Sequence, residues 1–254
     1  MALYIGLMSG TSLDGADGVL VELDEAGARP PGVRAHVHRD MPPALREELL
    51  ALNMAAHDEL HRAALAANAL MGLYVGVVEA LLARTGCAAA DVRAIGAHGQ
   101  TVRHRPGVAD GIGYTLQLAN GALLAERTGI DVVCDFRSRD VAAGGQGAPL
   151  APGFHAALFG GPQVPVLVLN VGGIANLSVL EPDGRVLGFD SGPGNALMDA
   201  WCLRHQGQPY DAGGAWAATG KVDAGLLATL MGEPFLAAPP PKSTGRDLFN
   251  ARWL

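Results

Sequence analysis

Apolar runs broken by short, glycine-containing polar stretches set the rhythm of this chain. Leu3–Leu7 and Ala16–Leu23 are rich in Val, Ile and Leu and flank a bend marked by Gly and Asp, a pattern that predicts strand, tight loop, strand. Val33–His38 sets Val33, Ala35 and Val37 against Arg34, His36 and His38, the period of a half-exposed strand. The Asp24–Gly32 segment between them holds Gly27, Pro30 and Pro31 and is read as a turn. Pro42 and Pro43 open a helix through about Leu52, since proline suits the first helical position. In His57–Arg84, Leu60, Ala64, Leu65, Ala67, Met71, Val75, Val78 and Leu82 recur at helical spacing. The expectation is one long helix, capped by Asp58 and stopped by Gly86. Val92–Ala97 reads as a buried strand ending in His98-Gly99-Gln100-Thr101, and Tyr114–Leu118 as another strand. Asn120 caps a helix through Arg127 that Gly129 ends. Ile130–Phe136 is a further strand, running into Arg137-Ser138-Arg139-Asp140.

The small residues of Val141–Leu150 suit a junction, which divides the chain into domains 1–140 and 141–254. Beyond it the pattern gives a helix at Gly153–Phe159 and strands at Val164–Asn170 and Leu177–Leu180 around Val171-Gly172-Gly173-Ile174-Ala175-Asn176. The strand Val186–Phe189 ends in Asp190-Ser191-Gly192-Pro193-Gly194-Asn195, and the helix Ala196–His205 starts directly afterwards. A glycine-rich loop over 206–222 leads to a short helix capped by Asp223 and ending at Met231. Ala237–Pro241 reads as extended, and Lys242–Asp247 as the approach to a last helix. The unit LYIGLMSGTSLDGADGVLVEL and the unit VLVLNVGGIANLSVLEPDG share one layout: apolar strand, glycine-containing polar loop, apolar strand. The likeness is weak letter by letter, but it suggests two related halves, each presenting a glycine hairpin.

Composition narrows the function classes. With 254 residues, 49% of them hydrophobic and 17% charged, the chain is long enough to bury a substantial core. A net charge of -7 and the lack of any Lys/Arg run argue against a nucleic-acid partner. Cys87, Cys134 and Cys202 are odd in number and widely spaced, fitting reduced thiols in a cytoplasmic protein better than a disulfide framework or zinc site. No signal-peptide pattern opens the chain, and its longest helical stretch carries His, Arg and Glu, so no membrane span is expected. His57 and His61 stand at i and i+4 without a supporting carboxylate and are read as a solvated first turn.

Three places carry candidate chemistry. In Met8–Gly15, Gly10 and Gly15 let a ligand approach the main chain, and Ser9, Thr11 and Ser12 offer hydroxyls. Successive turn N–H groups can make an anion-binding concavity, and Asp14 is placed to orient a metal-bound water. Gln100, Thr101, Arg137 and Arg139 stand at strand ends, where polar groups project; the forked donors of arginine match a carboxylate or other anion. Polar self-capping of the loop, or ion pairs of the arginines with Asp135 or Asp140, would account for the same residues without a ligand. Asp190, at a strand end before a glycine-proline turn and a helix N-terminus, is the strongest general-base candidate beside an anion site, its alternative being an Asx-turn cap. Ala215–Val222 nearly spells a Walker loop, but Ala215 and Val222 break it.

Together, GLMSGTSLDGAD (6–17), AIGAHGQTVRH (94–104), GIDVVCDFRSRDVAAGGQGAPL (129–150), NVGGIAN (170–176), GFDSGPGNALMDAW (188–201) and PPKSTGRDLFN (240–250) resemble the anhydro-N-acetylmuramic acid kinase family, in family order. The resemblance implies an α/β, two-domain actin-like ATPase (ribonuclease H-like) fold with a central interdomain cleft, and a family C-terminal part lying beyond residue 254. It implies ATP and Mg²⁺ as cofactors, Mg²⁺ being held through ATP. The implied reaction opens 1,6-anhydro-N-acetylmuramic acid with water at C1 and phosphorylates O6, giving N-acetylmuramic acid 6-phosphate in cell-wall sugar recycling. Carried over residue by residue, Ser9, Gly10, Thr11, Ser12, Leu13, Asp14, Gly15 and Ala16 look like the ATP phosphate loop, and Asp190 like the base that activates water. Gln100, Thr101, Arg137, Arg139, Asn176 and Asn195 look like sugar-side contacts. The family also suggests a homodimer. The alternatives are a non-catalytic sugar- or nucleotide-binding remnant of the family, or a related sugar kinase with another substrate.

Overall fold

The computed structural model describes residues 1–24, 29–159, 163–246 and 248–254. Gly27, part of the turn expected between the second and third strands, lies outside them, as does Asp247. The chain divides into two compact units, Met1–Gly147 and Ala148–Leu254.

The first unit is built on one five-stranded sheet. Strands β1 (Ala2–Met8), β2 (Gly15–Leu23) and β3 (Gly32–Asp40) follow one another antiparallel. After helices α1 (Pro43–Ala51) and α2 (Glu59–Thr85), strand β4 (Val92–Ala97) returns to the free side of β1 and pairs with it in parallel, Leu7 opposite Ala97. A two-stranded hairpin of β5 (Gln100–Pro106) and β6 (Gly113–Leu118) then leads to α3 (Gly121–Thr128). Strand β7 (Val132–Cys134) pairs in parallel with β4, and the short helix α4 (Ser138–Ala142) follows. The order is therefore β3-β2-β1-β4-β7. α2 covers the sheet. Its buried residues Ala66, Leu70, Met71, Tyr74, Val75, Val77, Val78 and Leu81 join Ile5, Leu7, Leu20 and Ile95 in a single core.

The capping signals read from sequence mostly hold. The Asn120 side chain accepts from the Leu123 N–H, and Gly86 and Gly129 end their helices in the left-handed conformation. Asp58 does not behave as expected: it stands before α2 at φ 53° and makes no side-chain cap. The buried face of α2 also differs from the expected one, because Leu60, Ala64 and Leu65 face solvent. By length and composition α2 is apolar enough to cross a membrane, contrary to the sequence reading, yet 56% of its apolar window is buried within the protein.

The second unit starts with α5 (Ala151–Phe159) and carries an antiparallel sheet of β8 (Val166–Val171), β9 (Ile174–Leu180) and β10 (Val186–Pro193), in the order β10-β9-β8. This repeats the antiparallel strand succession of β1, β2 and β3, as the doubled glycine hairpins suggested. Helices α6 (Asn195–Gln206), α7 (Ala224–Met231) and α8 (Pro234–Ala237) complete it. The Asp223 carboxylate caps α7 by accepting from the Leu226 N–H. Two readings are corrected here. Residues 234–237, partly expected as extended, form α8. The segment after Lys242 forms turns rather than a helix among its described residues.

Candidate active site

In the first unit three motifs meet because three parallel strands end together. β1, β4 and β7 lie side by side, with Leu7 opposite Ala97 and Ala97 opposite Cys134. The chain after β1 is the glycine loop, after β4 it is His98-Gly99-Gln100, and after β7 it is Asp135-Phe136-Arg137. The carboxyl ends of parallel strands are where open α/β sheets present ligand-binding groups.

The glycine loop is anchored from below. Ser9 is 1% exposed; its hydroxyl donates to the Gly99 carbonyl (3.3 Å) and lies 3.2 Å from the Tyr74 hydroxyl. Burial pushes the Tyr74 phenol up to about 12, so it stays a neutral partner. Ser9 thus does not offer its hydroxyl outward, contrary to expectation. Leu13 is likewise a core residue, at φ 55°, and its N–H closes a turn onto the Gly10 carbonyl (3.2 Å). Asp14 is exposed and organises the turn: its Oδ1 accepts from the Ser12 hydroxyl (2.6 Å) and the Gly15 N–H (3.1 Å). Gly15 is required by close approach. A Cβ there would lie 2.4 Å from the Arg39 carbonyl and 2.4 Å from the His38 ring. Ala16 already belongs to β2 and is buried.

His98 and Arg137 form the other part of this edge. Arg137 Nε and Nη2 donate to His98 Nε2 at 3.0 and 2.9 Å, Arg137 Nη1 donates to the Gly147 carbonyl at 3.2 Å, and His98 Nδ1 lies 2.8 Å from the Gly99 carbonyl. Burial first, and the Arg137 charge second, push the His98 pKa down to about 4. The sequence offered Asp135 and Asp140 as ion-pair partners, but their recorded bonds go elsewhere: Asp135 accepts from the Ser138 hydroxyl and Asp140 from the Gly147 N–H. Arg139 is exposed on α4. Gln100 is 2% exposed, and its Oε1 is buried without a hydrogen-bond partner. The Thr101 hydroxyl accepts from Gln117 Nε2 (3.2 Å), which also reaches Thr115 (2.7 Å).

In the second unit a polar row crosses the sheet: Asn170 on β8 stands opposite Asn176 on β9, which stands opposite Asp190 on β10. Asp190 is buried, and its Oδ2 accepts from the Thr244 N–H (2.9 Å) while its own N–H donates to the Lys242 carbonyl (3.0 Å). Asn176 Oδ1 is buried without a hydrogen-bond partner. The ladder shifts register between Asp190 and Gly192, which has φ 148°, and this bulge turns the strand toward α6. The anion site expected at the start of α6 is filled from within. The Asn195 N–H donates to the Gly172 carbonyl (2.7 Å), and the Gly194 and Ala196 N–H groups to that of Gly173 (3.0 and 3.2 Å). Asn195 is exposed and its amide donates to the Val171 carbonyl (3.2 Å).

Sequence reasoning gave no role to Tyr74, Gln117 or Thr244. For Thr244 the signal was present in the matching PPKSTGRDLFN segment; Tyr74 is one of many apolar residues on α2, and nothing in its neighbours marks it. Among the described residues no group of three His, Cys, Asp or Glu could hold a metal ion.

A family model described as anhydro-N-acetylmuramic acid kinase matches residues 2–254. Relatives of that name are 61% identical in Variovorax paradoxus, 60% in Ralstonia nicotianae and 64% in Bordetella petrii, each over 99% of this chain. The chain covers 68%, 66% and 65% of those relatives, about two thirds of their length. Among solved structures, a reductive activator for a corrinoid, iron–sulfur protein is similar over 78% of this chain and 31% of its own, at 13% identity and a TM-score of 0.47, and carries none of the assignment. A match that runs from the glycine loop past Asp190 to the last residue places the chain in the anhydro-N-acetylmuramic acid kinase family.

Proposed function

We propose that the chain takes part in ATP-dependent conversion of 1,6-anhydro-N-acetylmuramic acid to N-acetylmuramic acid 6-phosphate. The observation that carries this reading is the family match over residues 2–254. In this assignment the Gly10–Asp14 turn of the first unit holds the ATP phosphates through its main chain, with Ser9 and Leu13 as its buried anchors. Mg²⁺ would neutralise phosphate charge there, with Asp14 the residue placed to hold one of its waters.

Asp190 is the base. Its carboxylate takes a proton from water as the water oxygen bonds to C1. The C1–O6 bond breaks, and O6 takes the γ-phosphoryl group of ATP, releasing ADP. The geometry favours Asp190 for this role because the Thr244 N–H fixes one carboxylate oxygen and so sets the direction of the other. Arg137 faces the substrate carboxylate. The Oε1 of Gln100 and the Oδ1 of Asn176 each accept from a substrate O–H or N–H, since a buried acceptor left unpaired costs about 1–3 kcal/mol. Thr101, Arg139 and Asn195 complete the sugar side.

ADP release measured with and without the anhydro sugar tests the reading. Release is expected only with the sugar, and Asp190→Asn should lower it by about 10²–10⁴-fold, stopping ring opening and phosphorylation together. Sugar-dependent turnover that survives in Asp190→Asn would reject the assignment of the base.

A further inference from the structure

The Arg137–His98 pair is unusual in the direction of its hydrogen bonds. A guanidinium has donors only, so both contacts to His98 Nε2 require that nitrogen to present its lone pair. The proton must then sit on Nδ1, where it is donated to the Gly99 carbonyl at 2.8 Å. Ring, tautomer and guanidinium fix one another. An aspartate in the same place would orient Arg137 and bring a negative charge against it, whereas a neutral imidazole orients it without adding one. The same Gly99 carbonyl accepts from the Ser9 hydroxyl beneath the glycine loop (3.3 Å), so the arginine is referenced to the loop through one shared acceptor.

We propose that His98 is a positioning residue: as a neutral Nδ1–H imidazole it aims the Arg137 guanidinium so that the site prefers an anhydro sugar bearing a carboxylate over one without. The proposal rests on the assignment of Arg137 to the substrate carboxylate. Burial and the Arg137 charge both favour the neutral form. The ring turns no substrate over and touches none; its effect passes through the arginine.

Two measurements on the 254-residue chain test this. In ¹⁵N-histidine spectra His98 should show a protonated Nδ1 and an unprotonated Nε2 from pH 8 to pH 5, and Arg137→Gln should raise its pKa only part of the way toward the ordinary value, because burial, the larger cause of the shift, remains. The opposite tautomer, or no change in Arg137→Gln, overturns the link between the two residues, and this needs no variant of His98 to fold. Calorimetric binding of 1,6-anhydro-N-acetylmuramic acid and 1,6-anhydro-N-acetylglucosamine gives the second readout, a ratio of affinities that general destabilisation would not move. His98→Leu and Arg137→Ala should each reduce that preference by about tenfold or more, and the double variant should be no worse than Arg137→Ala alone. His98→Gln, which restores an acceptor for the guanidinium, should recover part of the loss. Loss of preference in Arg137→Ala but not in His98→Leu overturns the positioning role while the arginine assignment stands. An unchanged preference in Arg137→Ala overturns that assignment and the proposal with it.

Discussion

Two histidines of the first unit respond to pH in opposite senses. Buried His98 has its pKa lowered to about 4, so between about pH 6.5 and 4 the unfolded chain binds a proton that the folded chain refuses. Stability from this group is constant above that window, falls as pH drops through it, and levels off below, for a total of about 3 kcal/mol. His38 is the reverse case. Its ring is hydrogen-bonded to Asp17 at 3.1 Å, with Asp14 and Asp40 nearby, and its pKa is raised. Its contribution is complete below about 6.5 and disappears as pH rises through the raised value, and being exposed it counts for little. Urea unfolding of the wild type and of His98→Gln from pH 8 to pH 4 should therefore give curves that differ most at neutral pH and converge on the acid side. Parallel curves would show that His98 carries a proton in the folded chain after all.

At the scale of elements, what fixes α2 on the sheet can be tested at two glycines. A Cβ on Gly18 of β2 would lie 2.3 Å from Val77 Cγ1 and 3.1 Å from Leu7 and Leu81, all core atoms with nowhere to go. A Cβ on Gly76 of α2 would meet Arg39 Nη1 at 2.4 Å, the far end of a side chain that can swing away. Thermal or urea unfolding should show Gly18→Ala destabilised by about 1–3 kcal/mol and Gly76→Ala neutral, or more stable by up to about 1 kcal/mol, since alanine is the better helix former. Equal effects would mean that the helix does not pack on β2 through Val77. The same helix shows where sequence reading stops. Its existence and its glycine stop were legible, but it is apolar nearly all round, so spacing alone allowed a face through Leu60 and Leu65 that packing rejects. Strand β5 was hidden because QTVRHRP is polar and its hairpin hydrogen-bonds Thr101, Gln117, Thr115 and His104 among themselves. The strand-end motifs were visible one by one, as was Asp190. Their neighbourhood in the first unit was not, because it depends on β4 returning to the free side of β1, and β7 to the free side of β4, across long stretches of chain.

For the whole molecule, the large core is unevenly shared. Every residue of the main apolar cluster, from Ile5 to Ile130, belongs to the first unit, where α2 and α3 seal the sheet. In the second unit the buried apolar residues among those described are few, Ala175, Leu180, Ala196, Leu197, Cys202 and Phe249, while Phe154, Leu167, Leu169, Trp201, Leu227 and Met231 are exposed. Local opening is governed by how much apolar surface an opening must expose. Hydrogen exchange should therefore give two classes of amide. Those of β1, β2, β4 and α2 should open only with global unfolding of their unit, whereas those of β8, β9 and β10 should exchange at least about tenfold faster, a difference of about 1.4 kcal/mol in opening free energy. The contrast should persist in dilute and concentrated samples alike, because it arises inside each unit. Uniform protection across both sheets would mean that the antiparallel sheet of the second unit is held by more than its own buried side chains.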